Sequence, residues 1–282
     1  MKTYKQIIKE YSVNLRDITH IPQKEVEILL LDILKQNTIW LHLNYTNICE
    51  KSTEEKLKKS VQKRATNYPL EYITKKVSFY GELFNIIDGV LIPRPETEIL
   101  VEKAQKLLDN IESPKVIEIG TGSGIISVML AFLIKDIEII AVDINDKALE
   151  LAKTNAKKFN VEDKITFIKS DLFHNIDNSI KFDLCVSNPP YIANNFKLPK
   201  NVKYEPENAL FGGDIGDELL QNIILDIYKR DIKNLICEMG YDQKEPLKKF
   251  MKDNIKYKEL EFYKDYDNLD RGFELNLRKN YK

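Results

Sequence analysis

Three glycines at alternate positions, Gly120, Gly122 and Gly124, separate the apolar run Val116-Ile117-Glu118-Ile119 from a second apolar run over 125–133. A strand that must turn into a helix within five residues needs backbone freedom at those positions, and bare backbone there lets a ligand approach closely. The alternation continues downstream. Strands are predicted over 137–142, 165–168, 182–186 and 235–237, helices over 147–159, 219–228 and 243–251, and two closing strands over 260–263 and 273–277. Strands alternating with helices predict an α/β fold with a largely parallel sheet covered on both faces.

The first 73 residues read differently, as helices. Leu29, Leu30, Ile33 and Leu34 share one helical face after Pro22. Ser52-Thr53-Glu54-Glu55 opens another helix, which runs on through Leu57 and Val61 with Thr53 or Ser52 as its cap. Lys56, Lys58, Lys59, Lys63 and Arg64 give that helix a basic face, either a solvated surface or a docking face for an acidic or RNA-bound partner. Aromatic and β-branched residues around Gly81 and Asp88-Gly89 predict a β-hairpin. The expected organisation is a helical domain over 1–73 that recognises the substrate, a hairpin linker over 74–92 and a catalytic domain over 93–282.

Charge bounds the partners. Lys plus Arg is 43 and Asp plus Glu is 44, which disfavours a strongly basic nucleic-acid binder. The balance is uneven, about +5 up to Val77 and about −6 beyond it. No apolar run is long enough to span a membrane, and the start has no signal-peptide core. Three scattered cysteines point to a reducing compartment, so a cytoplasmic protein is expected. Three scattered histidines and no CxxC leave little material for a metal site, and none is expected.

The chemistry is written at the strand ends. GxGxG lacks the spacing of the dinucleotide fingerprint, and no Lys-Ser/Thr follows to make a phosphate loop. Asp143, 19 residues after Gly124, ends the second strand, where a carboxylate accepts from both ribose hydroxyls of a nucleoside. Asp171 ends the third and is placed to bond an adenine, with Leu172 or Phe173 covering its face. Asn188-Pro189-Pro190-Tyr191 follows the fourth. Its two prolines stiffen the backbone and remove two donors. The Asn188 side-chain oxygen and the Pro189 carbonyl remain as two fixed acceptors, which suits a substrate NH2 group, and Tyr191 offers a flat ring to a planar group.

This order of GxGxG, acidic strand end and NPPY resembles the class I S-adenosylmethionine-dependent methyltransferases acting on planar NH2 groups. Within them, Ile92-Pro93-Arg94-Pro95-Glu96-Thr97-Glu98 is similar to a signature of the PrmC/HemK family, the peptide chain release factor glutamine methyltransferases. Further matching pieces are Glu205-Pro206, Ala209-Leu210, Gly212-Gly213, Glu238-Met239-Gly240 with Gln243, and Asp270-Arg271, so the likeness spans nearly the whole chain.

The resemblance implies a Rossmann-like fold with a seven-stranded, mostly parallel sheet and a small all-α N-terminal domain. It implies that Gly120, Thr121, Gly122, Ser123, Gly124, Asp143, Asp171 and Leu172 bind S-adenosylmethionine, with S-adenosylhomocysteine as product. Asn188 would touch both cofactor and substrate. Asn188, Pro189, Pro190 and Tyr191 would hold the glutamine of a Gly-Gly-Gln loop, with Asn188, Pro189 and Tyr191 carrying the catalysis and Arg94 and Glu98 shaping the mouth. Leu172 stands where the family often has Trp, and Ile215-Gly216 where it usually has Asp-Gly, in a loop read as structural. The expected partner is a release factor, with no membrane or direct nucleic-acid contact and a monomeric chain. The competing readings are a ribosomal-protein glutamine methyltransferase, an enzyme methylating exocyclic amines of adenine or guanine in nucleic acid, and a non-catalytic nucleoside-binding protein.

Overall fold

The computed structural model describes residues 2–277. Five helices come first: α1 (Tyr4–Ser12), α2 (Pro22–Leu34), α3 (Thr38–Asn44), α4 (Lys51–Arg64) and α5 (Leu70–Thr74). Ile7, Leu15, Val26, Leu30, Leu41 and Leu57 make a core with no solvent exposure. Pro22 starts α2 at a position where its missing N–H costs nothing, and Lys35 ends it in the left-handed conformation. Thr3 caps α1 reciprocally with Gln6.

Two local expectations change here. The cap position of α4 is Glu50, without a side-chain cap bond, and Ser52 and Thr53 lie inside the first turn. The helix has already begun at Lys51, so neither residue holds the non-helical cap position. Arg64 does not belong to the basic face. Its guanidinium is buried and bonds both carboxylate oxygens of Glu25, Nε to Oε2 at 2.6 Å and Nη2 to Oε1 at 3.1 Å. Lys56, Lys58, Lys59 and Lys63 stay exposed.

The hairpin is β1 (Lys76–Phe79) and β2 (Glu82–Asn85), turned by Tyr80 and Gly81 at positive φ. Asp88-Gly89 lies after it and makes no second strand pair. The rest alternates: α6 (Thr97–Leu108), β3 (Lys115–Ile119), α7 (Ile125–Leu133), β4 (Glu138–Asp143), α8 (Asp146–Lys158), β5 (Ile165–Lys169), β6 (Leu184–Ser187), β7 (Ile192–Ala193), β8 (Phe211–Gly213), α9 (Glu218–Arg230), β9 (Asn234–Glu238), α10 (Lys244–Asn254), β10 (Glu259–Lys264) and β11 (Asp270–Asn276).

Seven strands form one sheet in the order β10-β11-β9-β6-β3-β4-β5. β9, β6, β3, β4 and β5 run parallel, and β11 enters antiparallel to both neighbours. The fold is thus the Rossmann-like, mostly parallel sheet expected. The chain leaves β3 toward β4 and β5, then returns to place β6 on the other side of β3. Strand order reverses at that point, where a crevice opens beyond the carboxyl ends.

Chain contacts divide the molecule into two units. One comprises the residues up to Lys76 together with Leu198–Tyr204, and the other Val77–Lys197 together with the chain from Glu205 onward. Within the first, the Tyr204 hydroxyl donates to the Thr66 carbonyl at 3.1 Å. Among the described residues, no helix is long and apolar enough to cross a membrane.

Removing one member of a buried ion pair leaves a charge without compensation. Glu25→Ala is therefore expected to cost about 3–5 kcal/mol of stability, read as a lower midpoint in chemical denaturation. Glu25→Leu combined with Arg64→Met is expected to recover most of it.

Candidate functional site

The carboxyl ends of β3, β4, β5 and β6 border a cavity of about 150 Å³ that opens to solvent. A smaller lobe of about 30 Å³ adjoins it. Leu91, Gly120, Gly122 and Asn188 line both, so the two lobes meet beside the Asn188 side chain.

The glycine turn builds the shared wall. Gly120, Gly122 and Gly124 have φ of 72°, 54° and 81°. The Gly120 and Thr121 amides both donate to the Val142 carbonyl at 2.9 Å, fastening the turn to the end of β4. Gly120 and Gly122 face the large lobe, whereas Thr121 and Ser123 face only the small one. Gly124 lines neither. A Cβ at Gly124 would lie 2.8 Å from the Ala152 Cβ, so this glycine is required for the packing of α7 on α8. Asn155 on α8 braces the same turn, donating to the Ser123 carbonyl at 2.8 Å.

Two carboxyls flank the turn, Asp143 half-buried and Glu118 buried. Asp143 accepts from the Gly122 amide through Oδ2 and from the Asn145 amide through Oδ1, both at 2.8 Å. A carboxylate has about four acceptor positions, so part of Asp143 remains for the cavity it lines. Burial raises its pKa above the usual carboxylate value. Glu118, wholly buried on β3, lines the small lobe. Its Oε2 accepts from Thr121 Oγ1 at 2.7 Å, from the Ser127 amide at 3.2 Å and from the Ser127 hydroxyl. Its Oε1 is buried with no protein partner. Burial pushes its pKa up to about 7 against the pull of those hydrogen bonds.

Asp171 and Leu172 line the large lobe, and Leu172 sits at φ 46°, a left-handed position unusual for leucine. Phe173 does not cover that lobe. It is buried in the core, with the Arg230 guanidinium 4.8 Å from its ring centroid.

Asn188, Pro189 and Pro190 complete the wall. Asn188 Nδ2 donates to Thr97 Oγ1 at 3.0 Å, which leaves the Asn188 carbonyl oxygen as its acceptor for a ligand. The loop is clamped from behind. A Cβ at Gly212 would come within 2.4 Å of the Pro190 carbonyl oxygen, the Ile192 amide bonds the Leu210 carbonyl at 2.9 Å, and Gln243 Nε2 donates to the Tyr191 carbonyl at 2.9 Å.

Tyr191, expected against the substrate, and Arg94 and Glu98, expected at the mouth, line neither lobe. Tyr191 packs its ring against the apolar core, and Arg271 Nη1 lies 3.4 Å from its hydroxyl. Burial pushes that phenol up to about 12. Arg94 pairs with Glu205 at 2.5 Å. Glu98 accepts from the Tyr80 amide at 2.6 Å, anchoring the hairpin turn. Conversely, Gly89 to Leu91 and Pro206, Asn208 and Ala209 form walls to which the sequence reading gave no ligand role. Glu205 ties these two walls together, accepting from the Ile92 amide at 2.9 Å as well as from Arg94. Such walls are assembled from segments more than 110 residues apart and leave no local pattern, although the motif pieces Ile92–Glu98 and Glu205-Pro206 mark their ends.

Residues 6–74 match the family described as the PrmC N-terminal domain, and residues 95–204 the methyltransferase small domain. A release factor glutamine methyltransferase of Fusobacterium nucleatum is 37% identical over 89% of this chain and 72% of its own length. One from Clostridium acetobutylicum is 34% identical over 96% and 97%. Among solved structures, the catalytic domain of METTL16 in complex with an RNA hairpin superposes with a TM-score of 0.58 at 17% identity, covering 90% of this chain and 91% of that one. The N-terminal domain of human METTL16 in complex with SAH gives 0.52 at 16% identity over 90% and 93%. At that identity the likeness concerns the fold.

The glycines separate into two classes that substitution should expose. Gly124→Ala forces overpacking against Ala152 and is expected to cost about 1–3 kcal/mol more than Gly122→Ala, whose added methyl meets nothing within 4 Å. Thermal unfolding reads the difference, and Ala152→Gly should restore little of the loss, because the backbone Cα of residue 152 would still lie 2.9 Å from the added methyl.

Proposed function

The chain belongs to the release factor glutamine methyltransferases, and from that premise we propose that it methylates the side-chain amide nitrogen of the glutamine in the Gly-Gly-Gln motif of peptide chain release factors, with S-adenosylmethionine as donor. The observation that carries the substrate chemistry is Asn188, whose NH2 is spent on Thr97 and whose carbonyl is left beside the junction of the two lobes.

The residues present fit the donor. Asp143 takes the ribose hydroxyls, Asp171 and Leu172 the adenine, and the bare backbone of Gly120 and Gly122 lies between them. The unpartnered Glu118 oxygen suits the ammonium of the amino-acid end, since a buried carboxylate is stable only when paired. When bound, the donor supplies a methyl group already activated on a sulfonium.

What remains for the protein is alignment. An amide nitrogen is a poor nucleophile, its lone pair being delocalised into the carbonyl. Asn188 Oδ1 and the Pro189 carbonyl accept its two hydrogens, aim it toward the lobe junction and stabilise the positive charge that grows on it. In the transfer the nitrogen would gain a bond to the methyl carbon as that carbon's bond to sulfur breaks, with S-adenosylhomocysteine as the leaving group, and one of the nitrogen's protons would pass to water. Tyr191 serves this reading from outside the cavity, by holding the loop against the core. The exposed Lys56, Lys58 and Lys59 on the helical domain supply a face for the release factor.

The decisive experiment offers labelled S-adenosylmethionine to purified release factors, ribosomal proteins and RNA side by side, with mass spectrometry of the product. Methylation of the Gly-Gly-Gln glutamine is expected. Label only on ribosomal protein or RNA would replace this reading. In single turnover at saturating donor, Asn188→Ala is expected to lose about 100- to 1000-fold. A rate within a few-fold of the parent would remove Asn188 from the chemistry.

Donor binding should depend on pH through Glu118. A bound ammonium favours the ionised carboxylate, so affinity should rise as pH increases through about 7. Glu118→Gln should bind weakly and without that dependence in calorimetry. Reversing Lys56, Lys58 and Lys59 to Glu should raise KM for the release factor, leave donor affinity unchanged and shrink the effect of added salt on KM.

A further inference from the structure

Gln243 lines neither lobe, yet its buried side chain reaches from the turn after β9 to the NPPY loop. Its Nε2 donates to the Tyr191 carbonyl at 2.9 Å, and its Oε1 accepts from the Gly240 amide at 2.8 Å. The Gln243 backbone N–H in turn donates to the Gly240 carbonyl at 3.0 Å, so the two residues bond each other reciprocally just ahead of α10. We infer that Gln243 is a positioning residue for methyl transfer: it fixes the backbone of the loop that presents Asn188 and Pro189 to the substrate amide. This inference rests on the reading of Asn188 and Pro189 given above.

The physical need comes from the prolines. Pro189 and Pro190 have no N–H, so the loop cannot tie itself down by donating from those positions. It must be held from outside, through its carbonyls. Two consecutive carbonyls meet bare glycine backbone. A Cβ at Gly212 would lie 2.4 Å from the Pro190 oxygen, and one at Gly216 would lie 2.7 Å from the Tyr191 oxygen. Gly216 is itself held by Glu218, whose Oε2 accepts from its amide at 2.8 Å. Steric contact of this kind limits where the loop can go, whereas a hydrogen bond also sets its direction. Among the described residues, Gln243 is the one side chain that donates to a carbonyl of Asn188 to Tyr191.

The Gln243 amide has no choice of orientation. A backbone N–H only donates and a carbonyl only accepts. With the Gly240 N–H on one side and the Tyr191 carbonyl on the other, a flipped amide would set donor against donor and acceptor against acceptor. One side chain thus joins the turn after β9, the start of α10 and the NPPY loop. A displaced Tyr191 carbonyl would carry its shift along two stiff proline peptides to the Pro189 carbonyl and Asn188. Misplacing a reacting group by about 1 Å costs on the order of 100-fold in rate.

The test uses the full chain and single-turnover methylation of a release factor at saturating donor. Gln243→Met keeps the length of the side chain and loses both polar ends, and it is expected to slow the reaction about 10- to 100-fold. S-adenosylhomocysteine affinity by calorimetry should be unchanged, since Gln243 lines neither lobe. Gln243→Glu separates positioning from packing. The protonated acid, which burial favours, accepts from the Gly240 amide and donates to the Tyr191 carbonyl as glutamine does, whereas the ionised form turns an acceptor on an acceptor. The ratio of variant to parent rate should therefore be near one at low pH and fall as pH rises. Tyr191, Asp242 and Lys244, the titratable groups beside this position, are present in both proteins, so the ratio removes their own titration.

A second measurement, hydrogen exchange by NMR, needs no turnover. The Ile192 amide, bonded to the Leu210 carbonyl, and the Asn188 side-chain NH2, bonded to Thr97, should exchange faster in Gln243→Met than in the parent at the same pH. The Gly120 and Thr121 amides, bonded to the Val142 carbonyl, should not change. Should Gln243→Met not fold, Gln243→Glu at high pH is read in the same way. The inference is overturned if folded Gln243→Met stays within a few-fold of the parent, if donor affinity falls by the same factor as the rate, if the Gln243→Glu ratio is the same at every pH, or if exchange at Ile192 and Asn188 does not change. Failure of the parent to methylate any release factor would overturn the functional reading instead, and the exchange measurement would still decide whether Gln243 holds the loop.

Discussion

The carboxyl edge of the sheet hangs on three alternate residues, Gly120, Gly122 and Gly124, holding positive φ between β3 and α7. That backbone lets two consecutive amides reach the Val142 carbonyl, which fixes the ends of β3 and β4 side by side. It also drops α7 onto α8 through the contact of Gly124 with Ala152. With the turn so placed, the Gly122 amide meets Asp143 and the Ser123 carbonyl meets Asn155. One conformational constraint thus orients the cavity-lining Asp143 carboxylate, a bare stretch of backbone and a helix pair at once.

Around that edge, polar groups are spent sparingly. The buried carboxyls Glu118 and Glu238 are both raised to about 7 by desolvation, and each keeps one oxygen without a protein partner. Glu118 lines the small lobe, and Glu238 is buried at the end of β9. Buried carboxylates without full pairing are costly and belong to sites that bind or steer charge. Neither carboxyl needs to move a proton in the reading proposed for this chain.

The NPPY loop shows how rigidity is divided. Its prolines remove backbone donors, but prolines alone do not aim a side chain. Gly212 allows β8 to press against the Pro190 carbonyl, Gln243 holds the Tyr191 carbonyl, and the Ser187 hydroxyl bonds the Ile119 carbonyl at 2.8 Å. Tyr191 is part of this clamp. Its ring was expected against the substrate because aromatic rings suit planar groups, yet the core behind the loop claims it, and Arg271 meets its hydroxyl.

Much of the molecule follows from short-range pattern. Glycine spacing, apolar runs of strand length and acidic strand ends were enough for the strand–helix order, the mostly parallel sheet and the placing of Gly120, Gly122, Asp143, Asp171 and Asn188 near one edge, because periodicity and turn chemistry are local. Pattern failed where a residue's role depends on its neighbour in space. Gly124 looked like its sister glycines until Ala152 stood against it, Arg64 looked like a surface charge until Glu25 met it, and Glu98 found the hairpin amide before any ligand. Thr97 carried no signal beyond its motif, since a hydroxyl acquires direction only from its partners. Which groups line the cavity, which stand behind it and which way the Asn188 amide faces were decided by tertiary structure, for hydrogen bonds and steric contacts join residues that the chain keeps far apart.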